Sequence, residues 1–362
     1  MDRRKILLSG LLVGFLGVLL VYFGNPANMG VCVACFIRDI AGGLGLHRAE
    51  PVQYIRPEIS GFILGAFLTA LLTGEFRARG GSSPLVRFFI GMAIMIGALT
   101  FLGCPLRMVL RLAAGDLNAL VGLVGFVFGI FIGVQFLKKD FSLGRSHRLP
   151  AANGFAMPAF ALVLLILVVT APAFIFFSES GPAASRAPVV ISLAAGLLIG
   201  FAVQRTRLCQ VGCFRDLILI KDPHLLYGTA GIFAAALIMN LTFGYFKLGF
   251  VDQPVAHTDG LWNFIGLAVV GLGATLLGGC PLRQLVLSGE GDTDAAFTVF
   301  GLLAGAAVSH NFGLAASANG VTAAGQIGVL IAAAFLLVVG FAFTKSEITV
   351  RQKGGATHEH TD

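Results

Sequence analysis

Ten apolar runs, each near the length that crosses a bilayer, account for most of this chain: residues 6–24, 58–75, 86–103, 117–137, 155–177, 188–204, 226–246, 261–279, 294–313 and 321–343. A spanning helix takes about 20 predominantly apolar residues. Lipid satisfies no backbone hydrogen bond, so such runs are expected to span as helices. Of the 362 residues, 57% are hydrophobic and 12% charged, with a mean hydropathy of +0.89. A soluble domain carries charge on about a quarter of its residues, so that class is excluded. The expected fold is an all-α polytopic membrane protein of about ten spans plus short broken helices. Its 48 glycines suit helices that pack closely and break beside a binding site.

The formal charge of +7 has no basic run behind it beyond Arg3, Arg4 and Lys5. Nucleic acid is therefore excluded as a partner, and the charge is assigned to loops beside an anionic bilayer surface. The run from Ile6 to Phe23 follows these basic residues as a signal peptide would. It is long enough to span, however, and no small-residue cleavage site closes it, so it reads as an uncleaved first helix. The polar stretch 345–362, with His358 and His360, reads as a cytoplasmic tail.

The chain repeats itself. GCPLRMVLRLAAGD at 103–116 returns as GCPLRQLVLSGEGD at 279–292, and CVACFIRD at 32–39 returns as CQVGCFRD at 209–216. The expected organisation is repeat one over 1–150, a connecting span over 151–187, repeat two over 188–315, a final span over 316–344 and the tail. With the N-terminus inside, 18 of the 25 Lys and Arg residues fall in inner segments. That places both termini in the cytoplasm by the positive-inside bias. The first span of repeat two then runs opposite to the first span of repeat one, an inverted-topology duplication of the kind built around a midplane substrate site.

All six cysteines, Cys32, Cys35, Cys104, Cys209, Cys213 and Cys280, lie in the repeated blocks. In each GCPLR block the Cys is placed to cap a short helix with Pro at its first position. A thiol there sits among free N–H groups at the positive end of the dipole. Each block also supplies a cation: Arg38, Arg107, Arg215 and Arg283. Arginines and helix N-termini attract an anion, and polarisable sulfur suits one that itself carries sulfur or selenium. The expected arrangement is one vestibule lined by Cys32, Cys35 and Cys104, another lined by Cys209, Cys213 and Cys280, and a narrow waist between them. Salt bridges from these arginines to Asp39, Asp116, Asp216 or Asp292 are the structural alternative. No cofactor, metal or enzymatic chemistry is indicated. His310 reads as a packed or interfacial residue, and Trp262 and Tyr22 as interfacial anchors.

These motifs, with QRTRLC at 204–209, resemble the YeeE/YedE membrane proteins, and among them the YedE-type selenium-associated transporters. The resemblance covers roughly residues 6–343. It implies an hourglass-shaped inverted-repeat fold in a bacterial inner membrane and import of a small selenium or sulfur anion such as thiosulfate. It also implies a relay through Cys35, Cys104, Cys213 and Cys280, with Cys32 and Cys209 alongside, and a TusA-like cytoplasmic sulfur carrier as partner. Pro105 and Leu106, and Pro281 and Leu282, stand where the thiosulfate branch has small polar residues, a departure that favours the selenium-associated branch. Two rivals remain. A transmembrane thiol-disulfide electron carrier would use the C-x-x-C spacing of Cys32 and Cys35, but Cys209 and Cys213 break that spacing. A soft-metal transporter would use the thiolates, beside which the arginines repel a cation.

Overall fold

Glycine and proline punctuate the apolar runs, and the helices follow that punctuation. The structure, a computed structural model, describes residues 2–344; the 345–362 tail lies outside the described residues. The first half forms α1 (Arg3–Tyr22), α2 (Val33–Gly43), α3 (Pro57–Leu72), α4 (Pro84–Phe101), α5 (Pro105–Ala113) and α6 (Asn118–Leu137). Next come α7 (Ala151–Gly154) and α8 (Ala156–Thr170). The second half forms α9 (Val189–Thr206), α10 (Gln210–Ile220), α11 (Leu226–Thr242), α12 (Gly260–Leu276), α13 (Pro281–Gly289), α14 (Thr293–Asn311) and α15 (Ala323–Ala342). Two short strands, β1 (Arg79–Gly80) and β2 (His147–Arg148), pair antiparallel in the loops. Proline occupies the first turn of α3, α4, α5 and α13, where its missing N–H has no helical partner to lose.

Each of the ten apolar runs holds one helix. Among the described residues, seven segments are long and apolar enough to cross a membrane: Arg3–Tyr22, Glu50–Leu72, Pro84–Ala113, Asn118–Leu137, Val189–Ile220, Gly260–Gly289 and Ala323–Ala342. Ala156–Thr170 and Leu226–Thr242 are shorter apolar helices. The chain is thus a mostly helical, multi-pass membrane protein. The fifth run, 155–177, is helical only to Thr170, because Ala171 turns left-handed (φ 44°). Pro172 follows, and a residue before proline is pushed out of the helical region.

Helix pairing exchanges the two halves. By repeat position, α1, α3, α4 and α6 correspond to α9, α11, α12 and α14. In space α1 packs on α11 and α3 on α9, while α4 packs on α14 and α6 on α12. The contacts are glycine-mediated. A Cβ on Gly10 would strike the Gly228 carbonyl, one on Gly129 the Ala268 carbonyl, and one on Gly301 the Phe88 carbonyl. Such backbone approach is the main source of packing between helices in lipid, where no hydrophobic drive operates between them.

The loops gather at two ends. At the Asn28 end, Leu117 donates to the Gly249 carbonyl (3.0 Å) and Val321 to Asp259 (2.9 Å). At the Arg79 end, Arg77 donates to the Glu290 carbonyl (3.0 Å) and Ser142 to the Phe343 carbonyl (3.1 Å). Asp2 borders a cavity there with Glu75 and Arg205, so residues 2 and 344 sit at the same end. The helices α2, α5, α10 and α13 are too short to span, and their N-termini reach the interior between these ends.

Candidate functional site

Each of the four short interior helices begins on a cysteine. Cys32 caps α2, Cys104 caps α5, Cys209 caps α10 and Cys280 caps α13, all four with extended backbone. The Cys32 sulfur accepts the Cys35 N–H (3.2 Å). The Cys209 sulfur accepts two N–H groups, from Gly212 (3.4 Å) and from Cys280 (3.3 Å). The GCPLR cysteines were expected as caps from the proline that follows. Cys32 and Cys209 precede Val33 and Gln210, which give no such cue, so their equivalent role was not legible.

The six thiols form two groups of three. Cys104 lies against Cys32 and faces the N–H groups of Arg107 and Ala34, so it sits between the N-termini of α5 and α2. Cys280 lies against Cys209 and faces the N–H groups of Arg283 and Gln210, between those of α13 and α10. Cys35 and Cys213 complete the groups one turn into α2 and α10, donating to the carbonyls of Leu102 (3.9 Å) and Gln210 (3.0 Å). All six are free thiols and buried. They are covered instead of lining open vestibules. A cavity of about 280 Å³ at the Asn28 end stops at Asn28, Ala114, Lys247 and Asp252. One of about 670 Å³ at the Arg79 end stops at Gln204, Arg205 and Arg207. Each cavity therefore borders the segment that leads into Cys32 or Cys209. The helices that carry the two groups meet in the interior, α2 touching α13 and α5 touching α10.

The four arginines divide by what neutralises them. Arg38 binds Asp39 (2.7 Å), whose second oxygen takes Arg56 (2.8 Å). Arg215 binds Asp216 (2.8 Å) and Arg283 binds Glu290 (2.9 Å). Arg107 differs. Its side chain is wholly buried, and among the described residues no carboxylate lies within 4.0 Å of it. It donates to the carbonyls of Asn28 (2.7 Å), Val255 (3.0 Å) and Leu102, and to the Cys35 sulfur (3.5 Å). A buried charge without a counter-ion is costly. Here three carbonyl dipoles and a polarisable sulfur partly offset that cost, and among the described residues no carboxylate offsets the rest.

Local backbone strain helps to position Arg107. Leu102 is left-handed at φ 60°, a conformation costing roughly 1–2 kcal/mol for a residue with a Cβ. It turns its carbonyl toward Arg107 and Cys35. Its repeat counterpart, Gly278 (φ 79°), adopts the left-handed turn without that cost and offers its carbonyl to Arg215 (3.4 Å). Sequence reading also passed over Arg56 and Arg111, both fully buried. Arg111 binds Asp116 (2.7 Å) and lies over the Phe101 ring. Neither arginine has a repeat counterpart, so a search for repeated motifs does not select them. His310 stacks on His47 at 4.4 Å, in keeping with a packing role, and Tyr22 is exposed at the end of α1.

A family model described as "Sulphur transport" matches residues 205–356. This stretch holds Cys209, Cys213, Cys280 and Arg283; the first cysteine group is tied to it through the internal repeat. A protein named thiosulfate transporter TsuA from Spirochaeta thermophila is 36% identical over 122 residues, covering 33% of this chain and 36% of that protein. A thiosulfate transporter TsuA from Escherichia coli is 31% identical over 103 residues, covering 28% and 29%. The chain thus spans about a third of the length of the curated relatives it matches.

Proposed function

We propose that this chain, similar over residues 205–356 to the sulphur-transport family, is a YeeE/YedE-type membrane protein that carries a small sulfur- or selenium-containing anion across a bacterial inner membrane. The carrying observation is Arg107, a buried guanidinium with no carboxylate partner, set among Cys32, Cys35 and Cys104 where two helix N-termini converge. An anion arriving from the Asn28-end cavity exchanges its hydration shell for the guanidinium, the N–H groups of α2 and α5, and S–H donors. Thiols donate weakly, so each holds the anion loosely enough to release it, as conduction between successive sites requires. Cys35 and Cys104 hand the anion to Cys213 and Cys280, with Cys32 and Cys209 alongside. No bond to sulfur need form.

The excess of Lys and Arg in the Arg79-end loops supports a cytoplasmic position for that end, and with it the reading of the two halves as an inverted pair that carries the anion inward. Their exchanged helix pairing supports this reading. A TusA-like carrier protein is the proposed receiver at that end. The test is uptake of radiolabelled thiosulfate and selenite into cells lacking their own routes, with wild type compared against Cys104→Ala and Cys280→Ala at matched membrane expression. Loss in both variants is expected, and the preferred label names the substrate branch. Undiminished uptake in both would remove the cysteines from the path.

A further inference from the structure

Arg107 and Arg283 hold the same place in the two repeats, the third residue of α5 and of α13, and both are buried. Only their partners differ. Seven residues beyond Arg283 stands Glu290, whose Oε1 accepts from Arg283 Nη1 at 2.9 Å. Seven residues beyond Arg107 stands Ala114. Of the two repeat-equivalent cations, Arg107 is thus left uncovered beside Cys35 while Arg283, whose backbone N–H faces Cys280, has its guanidinium covered by Glu290. The covering carboxylate also has a second cation within reach. Glu290 Oε2 lies 3.9 Å from Arg79 Nη2, and Arg79 is held by Asp292 at 2.8 Å. A cavity of about 240 Å³ lined by Arg79, Gln284, Leu287 and Asp292 adjoins this chain of charges.

Resting on the transport reading above, we infer that Glu290 is a built-in counter-anion: it occupies Arg283 at rest, yields that guanidinium to the transported anion, and shifts toward Arg79 while the anion passes. The second station is then a competitive one. An anion reaching Cys280 meets Arg283 only by displacing a carboxylate tethered beside it, and the carboxylate's return displaces the anion. Residence there is short, and release toward the Arg79 end is fast. The gradient still sets the direction of net flux, while Glu290 sets how long the anion dwells. This makes Glu290 a gating residue that acts through Arg283 and need not touch the anion.

The experiment measures equilibrium binding of radiolabelled thiosulfate to the purified protein and its uptake into proteoliposomes. Glu290→Gln uncovers Arg283 and keeps the side-chain shape. It is expected to bind about tenfold tighter and turn over about tenfold slower, the worth of one charge-assisted hydrogen bond. Adding Arg283→Gln is expected to cancel the gain in binding, which a merely structural role for Glu290 would not do. Folded Glu290→Gln protein that binds no tighter than wild type overturns the inference. Should that variant fail to fold, Glu290→Asp keeps the charge but shortens its reach. It is expected to shift both quantities the same way by a smaller factor, and no shift overturns the inference. Wild-type protein that neither binds nor moves thiosulfate or selenite would instead sink the transport reading, and this inference with it.

Discussion

At the scale of single residues, the cysteines have two separable duties. As caps of α2 and α10, the Cys32 and Cys209 sulfurs accept backbone N–H groups, a task serine oxygen performs at least as well. As stations for a soft anion they rely on sulfur, which serine lacks. Cys32→Ser and Cys209→Ser are therefore expected to leave thermal stability in detergent within about 0.5 kcal/mol of wild type while lowering thiosulfate uptake. Uptake preserved together with stability would mean that the thiols matter only as caps. The sequence made the thiols and their neighbouring arginines legible because repetition marks them. Repetition also hid what differs between the copies. Arg107 and Arg283 read as equals until Glu290, opposite Ala114 in the repeat, separates them. Arg56 and Arg111 escaped notice for the same reason.

Helices form the next scale, and their contacts were only half legible. Apolar runs located the ten longer helices well, since their lengths are set by the bilayer. Which helix meets which depends on glycine faces whose partners lie more than a hundred residues away. At the α6–α12 contact, a side chain at Gly129 would strike the Ala268 carbonyl. Backbone, unlike a side-chain tip, cannot move aside. Gly129→Leu is expected to destabilise the fold by roughly 1–3 kcal/mol, the usual cost of overpacking, seen as a lowered unfolding temperature in detergent. Gly260→Ala, where an added Cβ meets nothing within 4 Å, is the matched control and should leave that temperature unchanged. Equal temperatures for both would show that the α6–α12 approach is not close. The turn ending α8 at Ala171 was foreshadowed by Pro172, whereas the left-handed turn at Leu102 was not, because Leu rarely adopts it.

For the whole molecule, acidity should act through two histidines in the loops at the Asn28 end. Burial lowers the pKa of both His47 and His257 below the ordinary 6.5. Each accepts a backbone N–H at Nδ1, from Ala49 and Asp259, and turns Nε2 to a carbonyl, of Arg38 and Thr100. Both are thus neutral, with the proton on Nε2. Arg38, Asp39 and His310 face the first, and Arg111, Asp116 and Asp259 face the second. The unfolded chain takes up protons at higher pH than the folded one. Stability is therefore full above about pH 6.5 and falls as pH drops from there through the lowered folded values. Unfolding temperatures across that range should show the fall, and His47→Gln with His257→Gln should flatten it; an unchanged slope would assign the effect to other groups. The whole account turns on Arg107 as the uncovered cation that receives the anion. The most direct test is radiolabelled thiosulfate uptake into proteoliposomes by wild type and by Arg107→Gln, at equal amounts of folded protein. Uptake by wild type and its loss in the variant are expected, whereas equal uptake by both would take Arg107 out of the path.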